Sequence, residues 1–375
     1  MKRTLAALLA ALLCAGCLSA CAGESADGPE ATSTPQPDAA PETLVAYEVP
    51  QDINPYTGLP RGEDYPLGQR GVAVMINNVR AAWPQSGLNS ADLMYEIVTE
   101  SGITRLMAVY RDYAAMPTVG PIRSARDQHV QLMLPLQTLY AHIGTSNIAA
   151  EYLSRYKYTD AKSIDGKYRN YYWIDAERRK TKGQEHCVYT NGETFSAAVQ
   201  QYGLQAGTGS EPPPVFDFVR YDQPARQLAG GQAQEVYVRF SSYADATFRY
   251  DAQQDRYYKW QYEQPQLDQA DEGRQYGAEN VFVLFAQIDK YPDGVLAQVR
   301  FDQQQGAGLY FNGGRYERVR WIKEDPASPL RIVGNDGKEI DVKVNPGTSY
   351  IAVVANEQLD NCRIDGLSLE EAFAR

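Results

Sequence analysis

Three arginines, two histidines and a pair of glutamates crowd the first half of this 375-residue chain, and they suggest two chemistries. The first is anion binding. The run Gly120-Pro121-Ile122-Arg123-Ser124-Ala125-Arg126 leads from a glycine turn into a predicted helix. Free backbone N–H groups and the helix dipole favour negative charge there, and guanidinium forks match phosphate or carboxylate. Arg105 precedes the run. Asn78, Gln85 and Ser86 offer neutral hydrogen-bonding groups, and His142 and His186 could close the site. The competing reading is structural, with Ser124 capping the helix and the arginines paired to Glu96 and Glu100.

The second chemistry is hydrolysis of a glycan or phosphodiester. Glu96 or Glu100 would act as acid or base, with His142 or His186 as proton carrier. Residues four apart come close only on a helix, however, and this stretch reads as a strand. A thiol route fares worse: Ala141-His142-Ile143-Gly144-Thr145 loosely resembles the His-Gly-Thr element of wall transpeptidases, and Cys187 stands beside His186. The Ser-x-Gly-Cys setting such a nucleophile needs is absent. The sequence implies no metal and no cofactor, because His129, His142 and His186 lie in separate segments and no Cys-x-x-Cys follows the leader.

These residues need elements to hold them. Residues 71–76 (GVAVMI) form a continuous apolar run that suits a strand covered on both faces. Residues 92–98 and 103–110 are further strand candidates around the Ser101-Gly102 turn, and 138–143 is another. Helices are predicted over 124–134, over 146–156 with Thr145 or Ser146 as cap, and over 191–202 with Thr190 or Asn191 as cap. Asn77 and Asn78, His142, Gly144 and Ser146 then fall at or past strand ends, where ligands collect in open α/β sheets. From Ser210 the chain loses periodicity through Pro212-Pro213-Pro214. Beyond that the pattern is almost all strand, with turn signals such as Asn312-Gly313-Gly314 and Asn335-Asp336-Gly337.

The amino terminus fixes where the chain goes. Lys2 and Arg3 precede a short apolar run over residues 5–13, too short to span a bilayer. It ends in Leu18-Ser19-Ala20-Cys21, with the small residues a lipoprotein signal peptidase needs and the thiol that takes diacylglycerol. Acyl chains contribute about 0.8 kcal/mol per buried methylene, so two or three of them make a durable anchor. Residues 22–50 are rich in Ala, Pro, Glu, Asp, Ser and Thr and read as a tether. Removing Lys2 and Arg3 with the leader leaves 34 basic against 47 acidic residues, a net charge near −13. Such a chain is a poor partner for nucleic acid, and an anionic surface would repel it except at a local basic patch. Cys187 and Cys362 remain beyond the anchor; they could pair or simply be buried.

Several of these segments carry a resemblance. Asn54-Pro55-Tyr56-Thr57-Gly58-Leu59-Pro60, Val72-Ala73-Val74-Met75-Ile76-Asn77-Asn78, Pro84-Gln85-Ser86-Gly87, Gly102-Ile103-Thr104-Arg105 and the Gly120–Arg126 run resemble the YerB-like lipoproteins, a bacterial family of uncharacterised function. Order and spacing match through His142 and residues 186–189, and the β-rich second half resembles that family's carboxy-terminal domain. This chain has Glu185-His186-Cys187 where the family pattern has Pro-His-Asn. The resemblance implies a two-domain envelope lipoprotein and supplies no reaction.

The expected molecule has a signal peptide over 1–20, a lipidated Cys21 and tether over 21–51, and an α/β or α+β domain over 52–208. A linker over 209–227, a smaller antiparallel β-rich domain over 228–356 and a tail over 357–375 follow. It sits on the extracytoplasmic face of the membrane and binds an anionic envelope ligand through its first domain, as a non-catalytic or weakly catalytic protein. The alternatives are the hydrolase above and a structural partner of an envelope protein complex.

Overall fold

Continuous aliphatic runs make the strands at the centre of the molecule. The computed structural model describes residues 52–159, 163–164 and 171–374; the leader, Cys21 and the tether lie outside the described residues. Strands β1 (Val72–Asn77), β2 (Leu93–Val98) and β3 (Thr104–Tyr110) are buried at every position, so both faces must be covered. Two short strands, β4 (Leu139–Ala141) and β5 (Ser163–Ile164), extend the sheet in parallel beyond β1.

The second half contributes β6 (Glu235–Arg239), β7 (Asp245–Asp251), β8 (Arg256–Gln261), β9 (Asn280–Ala286), β10 (Gln305–Asn312), β11 (Arg315–Ile322), β12 (Arg331–Gly334), β13 (Ser349–Ala355) and β14 (Arg363–Ile364). Five of these join the first-half strands in one ten-stranded sheet, in the order β12-β11-β10-β9-β13-β2-β3-β1-β4-β5. The join is β13, which lies parallel to both β9 and β2. Strands β6, β7, β8 and β14 belong to a second sheet. Burial alternates along β6 and β8, as it does where one face is packed and the other meets water.

Two cores result. One lies between the sheets, where Val74 and Ile76 meet Val236, Phe248 and Phe195. The other lies on the opposite face, where Met75 and Val109 meet Val130 and Leu153. The helices are α1 (Asp127–Met133), α2 (Asn147–Arg155), α3 (Ala176–Lys182), α4 (Gly192–Gln201) and α5 (Leu369–Phe373). Ser146 caps α2 by accepting from the Ala149 N–H, and Asn191 caps α4 in a box with Thr194. Each satisfies a backbone donor that the helix itself cannot.

The structure corrects four expectations. Helix α1 begins at Asp127, not 124, because the backbone of residues 123–125 is taken up by β1 and by residues 143–144: Arg123 N–H donates to Met75 O and Ala125 N–H to Gly144 O. The segment 209–227 is packed: Phe216 and Phe218 are buried, and Asp217–Phe218 pairs with Lys343–Val344. Glu211 fixes its start, accepting from Arg61, Arg111 and Tyr65. The carboxy-terminal part is mixed, since β13 runs parallel to its neighbours. Finally, 357–374 carries β14 and α5, whose Ile364, Leu369 and Ala372 are buried in the core between the sheets.

Candidate functional site

The period-two alternation of a strand sorts polar side chains onto two faces. Near the carboxyl ends of β1 and β2, Asn78 and Glu96 join Thr104 of β3 on the face that meets the second sheet. Arg105 and Tyr140 follow the alternation of Met107 and Met75 onto the opposite face, beneath α1. Each face carries a cluster of charges.

The inner cluster is sealed. Glu96 and Lys259 have no exposed side-chain surface and meet at 2.8 Å. Glu96 also accepts from Asn78 Nδ2 at 2.7 Å, from Thr104 Oγ1 at 2.6 Å and from the Tyr350 hydroxyl. Gln85 Nε2 donates to Asn78 Oδ1 at 3.0 Å, and Gln266 Nε2 reaches Asn78 Oδ1 and Gln85 Oε1, both at 3.3 Å. Burial pushes the Lys259 ammonium below its usual range, against the pull of Glu96. Asn78, Gln85 and Ser86 were expected at a ligand; the first two are consumed here, and Ser86 is buried in a backbone pairing with Gly120. Through Gln266, Asn78 and Gln85 join the two halves of the chain, whereas Ser86 pairs within the first.

The outer cluster lies at the rim. Glu100, just past β2, accepts from Arg126 Nε and Nη2 at 2.9 Å each and from Arg105 Nη2. Two guanidinium groups therefore share one carboxylate. Burial would raise the Glu100 pKa, but the charges of Arg105 and Arg126 outweigh it and hold the group low. Arg105 is almost fully buried; desolvation, with the repulsion of Arg126, brings it down to about 9. Its Nη1 donates to Ser124 O at 3.1 Å, while its buried Nε has no hydrogen-bond partner among the described residues. The buried Tyr140 hydroxyl likewise has none among the described residues, and it feels both Arg105 and Arg126. Buried polar atoms without partners are uncommon in folded proteins.

Arg123 stands at the edge of this group, paired at 3.1 Å to Glu185, whose side chain is 67% exposed. Ser124 faces Gly144, which sits at φ +75°; a Cβ there would lie 3.1 Å from Ser124 Oγ. His142 stacks obliquely on Tyr140, ring centroids 4.9 Å apart, and donates from Nδ1 to Gly144 O at 2.9 Å. His186 Nδ1 accepts from Asn77 Nδ2 at 2.9 Å; burial and then Arg123 lower its pKa. His129 lies under Arg105, fully buried and lowered to about 3 by desolvation. The structure thus brings Arg105, Arg123, Ser124, Arg126 and His142 together and places His186 alongside. Asn77 was legible beside Asn78 at the end of the first strand; sequence reasoning missed His129 and Tyr140 as members of the site, although Tyr140 alternates with His142 along one strand face.

A cleft of about 740 Å³ lies elsewhere, lined by Arg226, Gly230, Tyr316, Arg318 and Phe373. Its Arg226 is already held by both oxygens of Glu317, at 2.7 and 2.6 Å. Cys187 and Cys362 are buried free thiols. Among the described residues, no three His, Cys, Asp or Glu side chains converge as metal ligands.

Two family models match the chain. One, described as "Protein of unknown function (DUF3048) N-terminal domain", covers residues 56–205, and its C-terminal counterpart covers 236–351. Among curated proteins, "Putative lipoprotein YerB" of Bacillus subtilis (strain 168) is 33% identical over 183 residues, which is 48% of this chain and 51% of that protein. The match therefore spans about half the length of that relative. The crystal structure of the YerB protein from Bacillus subtilis superposes with a TM-score of 0.70 at 25% identity, covering 84% of this chain and 99% of that one.

Proposed function

The chain belongs to the YerB-like family, with its amino- and carboxy-terminal parts in order, and we propose that it is an extracytoplasmic lipoprotein that binds an anionic ligand of the cell envelope. Lipid on Cys21 anchors it; the Leu18-Ser19-Ala20-Cys21 motif and the lipoprotein relative support this. The ligand site is the outer cluster, where Arg105, Arg126 and Arg123 supply charge and Ser124 and His142 supply hydrogen bonds.

One observation carries the reading. Arg105 is buried, its Nε lacks an acceptor among the described residues, and it shares the carboxylate of Glu100 with Arg126. Buried charge is costly unless paired and hydrogen-bonded, and an oxyanion would complete this pairing. Binding is favoured over hydrolysis because Glu96 faces Lys259 on one side of the sheet and Glu100 faces arginines on the other. No substrate bond lies between two carboxylates so arranged.

The test is thermal unfolding of wild type, Arg123→Ala and Arg126→Ala with and without sulfate or phosphate. The anions should raise the wild-type Tm by linkage, and Arg126→Ala should remove most of that increment, each lost contact costing about 1.5–3 kcal/mol. An unchanged increment in both variants overturns the reading.

A further inference from the structure

The chain is acidic, with a formal charge of −11, yet residues 155–182 hold nine of its 36 lysines and arginines against four acidic residues. The described part of this stretch ends in α3, whose last turn presents Arg179, Lys180 and Lys182 to solvent. Arg178 fastens the helix in place: it donates to Ala82 O at 2.6 Å, Pro84 O at 3.0 Å and His186 O at 3.1 Å. The exposed Arg80 lies on the short turn packed against residues 184–186. Arg123 acts electrostatically on Arg105 on one side and on His186 on the other, and Lys182 acts on His186 as well. Arg123 is tied to the 184–186 turn by its pair with Glu185, and that turn packs against α3, so Arg123 stands between the rim and the end of α3.

Helix-dipole complementarity accounts for basic residues in the last turn of α3. It does not account for Arg80 and Arg123 on neighbouring elements. The opposite charges on this face are exposed: Glu185 meets Arg123 at 3.1 Å with its side chain 67% exposed, and Lys180 reaches Glu177 at 3.7 Å with both side chains 75% exposed; such surface pairs contribute little. A single small anion needs two or three convergent donors. A row of exposed, separated cations instead matches charges repeated along a chain, and the surrounding negative field keeps such a chain on the row.

We propose that the α3 face and the arginine rim together form a track for a linear phosphate-bearing polymer, with the rim holding one phosphate and α3 its neighbours. The proposal rests on the rim being an anion site, and deepens it from a single anion to a polyanion.

The experiment uses the compact unit from Glu48 to Arg375 and long-chain inorganic polyphosphate as the probe. Affinity is measured across a salt series for wild type, for the triple variant Arg179→Glu, Lys180→Glu, Lys182→Glu, and for Arg126→Ala. The triple variant should bind polyphosphate at least about tenfold more weakly and flatten the log–log salt slope by about 2, as expected when three phosphate contacts are lost. Its Tm increment with orthophosphate should stay at the wild-type value, because the rim is untouched. Equal polyphosphate affinity in wild type and triple variant overturns the track. So does loss of binding to phosphatidylglycerol vesicles with polyphosphate binding unchanged, which would assign the face to a bilayer. If Arg126→Ala keeps its orthophosphate increment, the rim reading fails by itself, whatever the triple variant does.

Discussion

The same three strands carry two charged clusters on opposite faces, and the two are built to opposite ends. On the inner face one glutamate meets one lysine, both without exposed surface, and neutral amides and hydroxyls surround them, although Gln261 Nε2 and Gln266 Oε1 have no partner among the described residues. On the outer face two arginines compete for one glutamate, and the Arg105 Nε and Tyr140 hydroxyl have no partner among the described residues. The first arrangement is closed and joins Asn78, Glu96 and Thr104 of the first half to Lys259 and Tyr350 of the second. The second is charged in excess and lies at a rim. Balance marks a structural ion pair; surplus of one sign marks a place for something else.

The largest effect should come from unbalancing the inner cluster. Removing one partner of a buried pair leaves the other charge uncompensated, at a cost of about 3–5 kcal/mol. Lys259→Met should therefore lower the denaturant midpoint sharply, and adding Glu96→Gln should restore much of it. A single variant as stable as wild type would erase the distinction between the clusters.

Glutamate removal sharpens the contrast further. Glu100→Gln frees both arginines and should tighten sulfate or phosphate binding several-fold, whereas Glu96→Gln should leave anion affinity alone and reduce stability only. Titration calorimetry on both variants reads this directly. Weaker anion binding in Glu100→Gln would mean that Glu100 orients the arginines rather than competing for them.

A smaller effect concerns acid. Arg105 and Arg126 hold the folded pKa of Glu100 below its ordinary 4.5. Between the folded and unfolded values the unfolded chain takes the proton first, so stability falls as pH falls through that window. The wild type should lose more stability below pH 4.5 than Glu100→Gln does; parallel curves from pH 5 downward would deny the outer pair any part in folding. The smallest change should follow Arg123→Ala. Its partner Glu185 is 67% exposed, and a surface pair of this kind contributes about 0–1 kcal/mol. A melting curve shifted by more than that would place Arg123 inside the structural network.

Much of this was visible in the residues themselves. The strands β1 to β3 could be read because buried strands need unbroken apolar runs, and the arginine cluster because its members lie within a short span of chain. Glu96 could not be assigned, since its partner Lys259 comes from the other half and carries no local mark. Strand β10 is hard to read because Gly306 and Gly308 weaken any strand pattern. The glycine at 306 is required by close approach: a Cβ there would lie 2.3 Å from Phe285 O and 2.4 Å from Trp321 Nε1. Helix α5, in contrast, left a signal that passed unused. Ser368 and Glu371 form a capping box, which the spacing Ser-x-x-Glu announces.

The position of β13 bears on how the chain is made. Strand β2 is flanked by β3, which follows it at once, and by β13, whose Tyr350 lies 254 residues after Glu96. During synthesis the first half therefore emerges with one edge of β2 bare, and that edge stays open until nearly the whole chain has been delivered. An open apolar strand edge invites pairing with other chains, and contacts of such long span are slow to form. Truncations ending before Ser349 should consequently accumulate as aggregates rather than as a soluble amino-terminal half. The two parts of the sequence are separate as families of residues, but they are one unit of assembly.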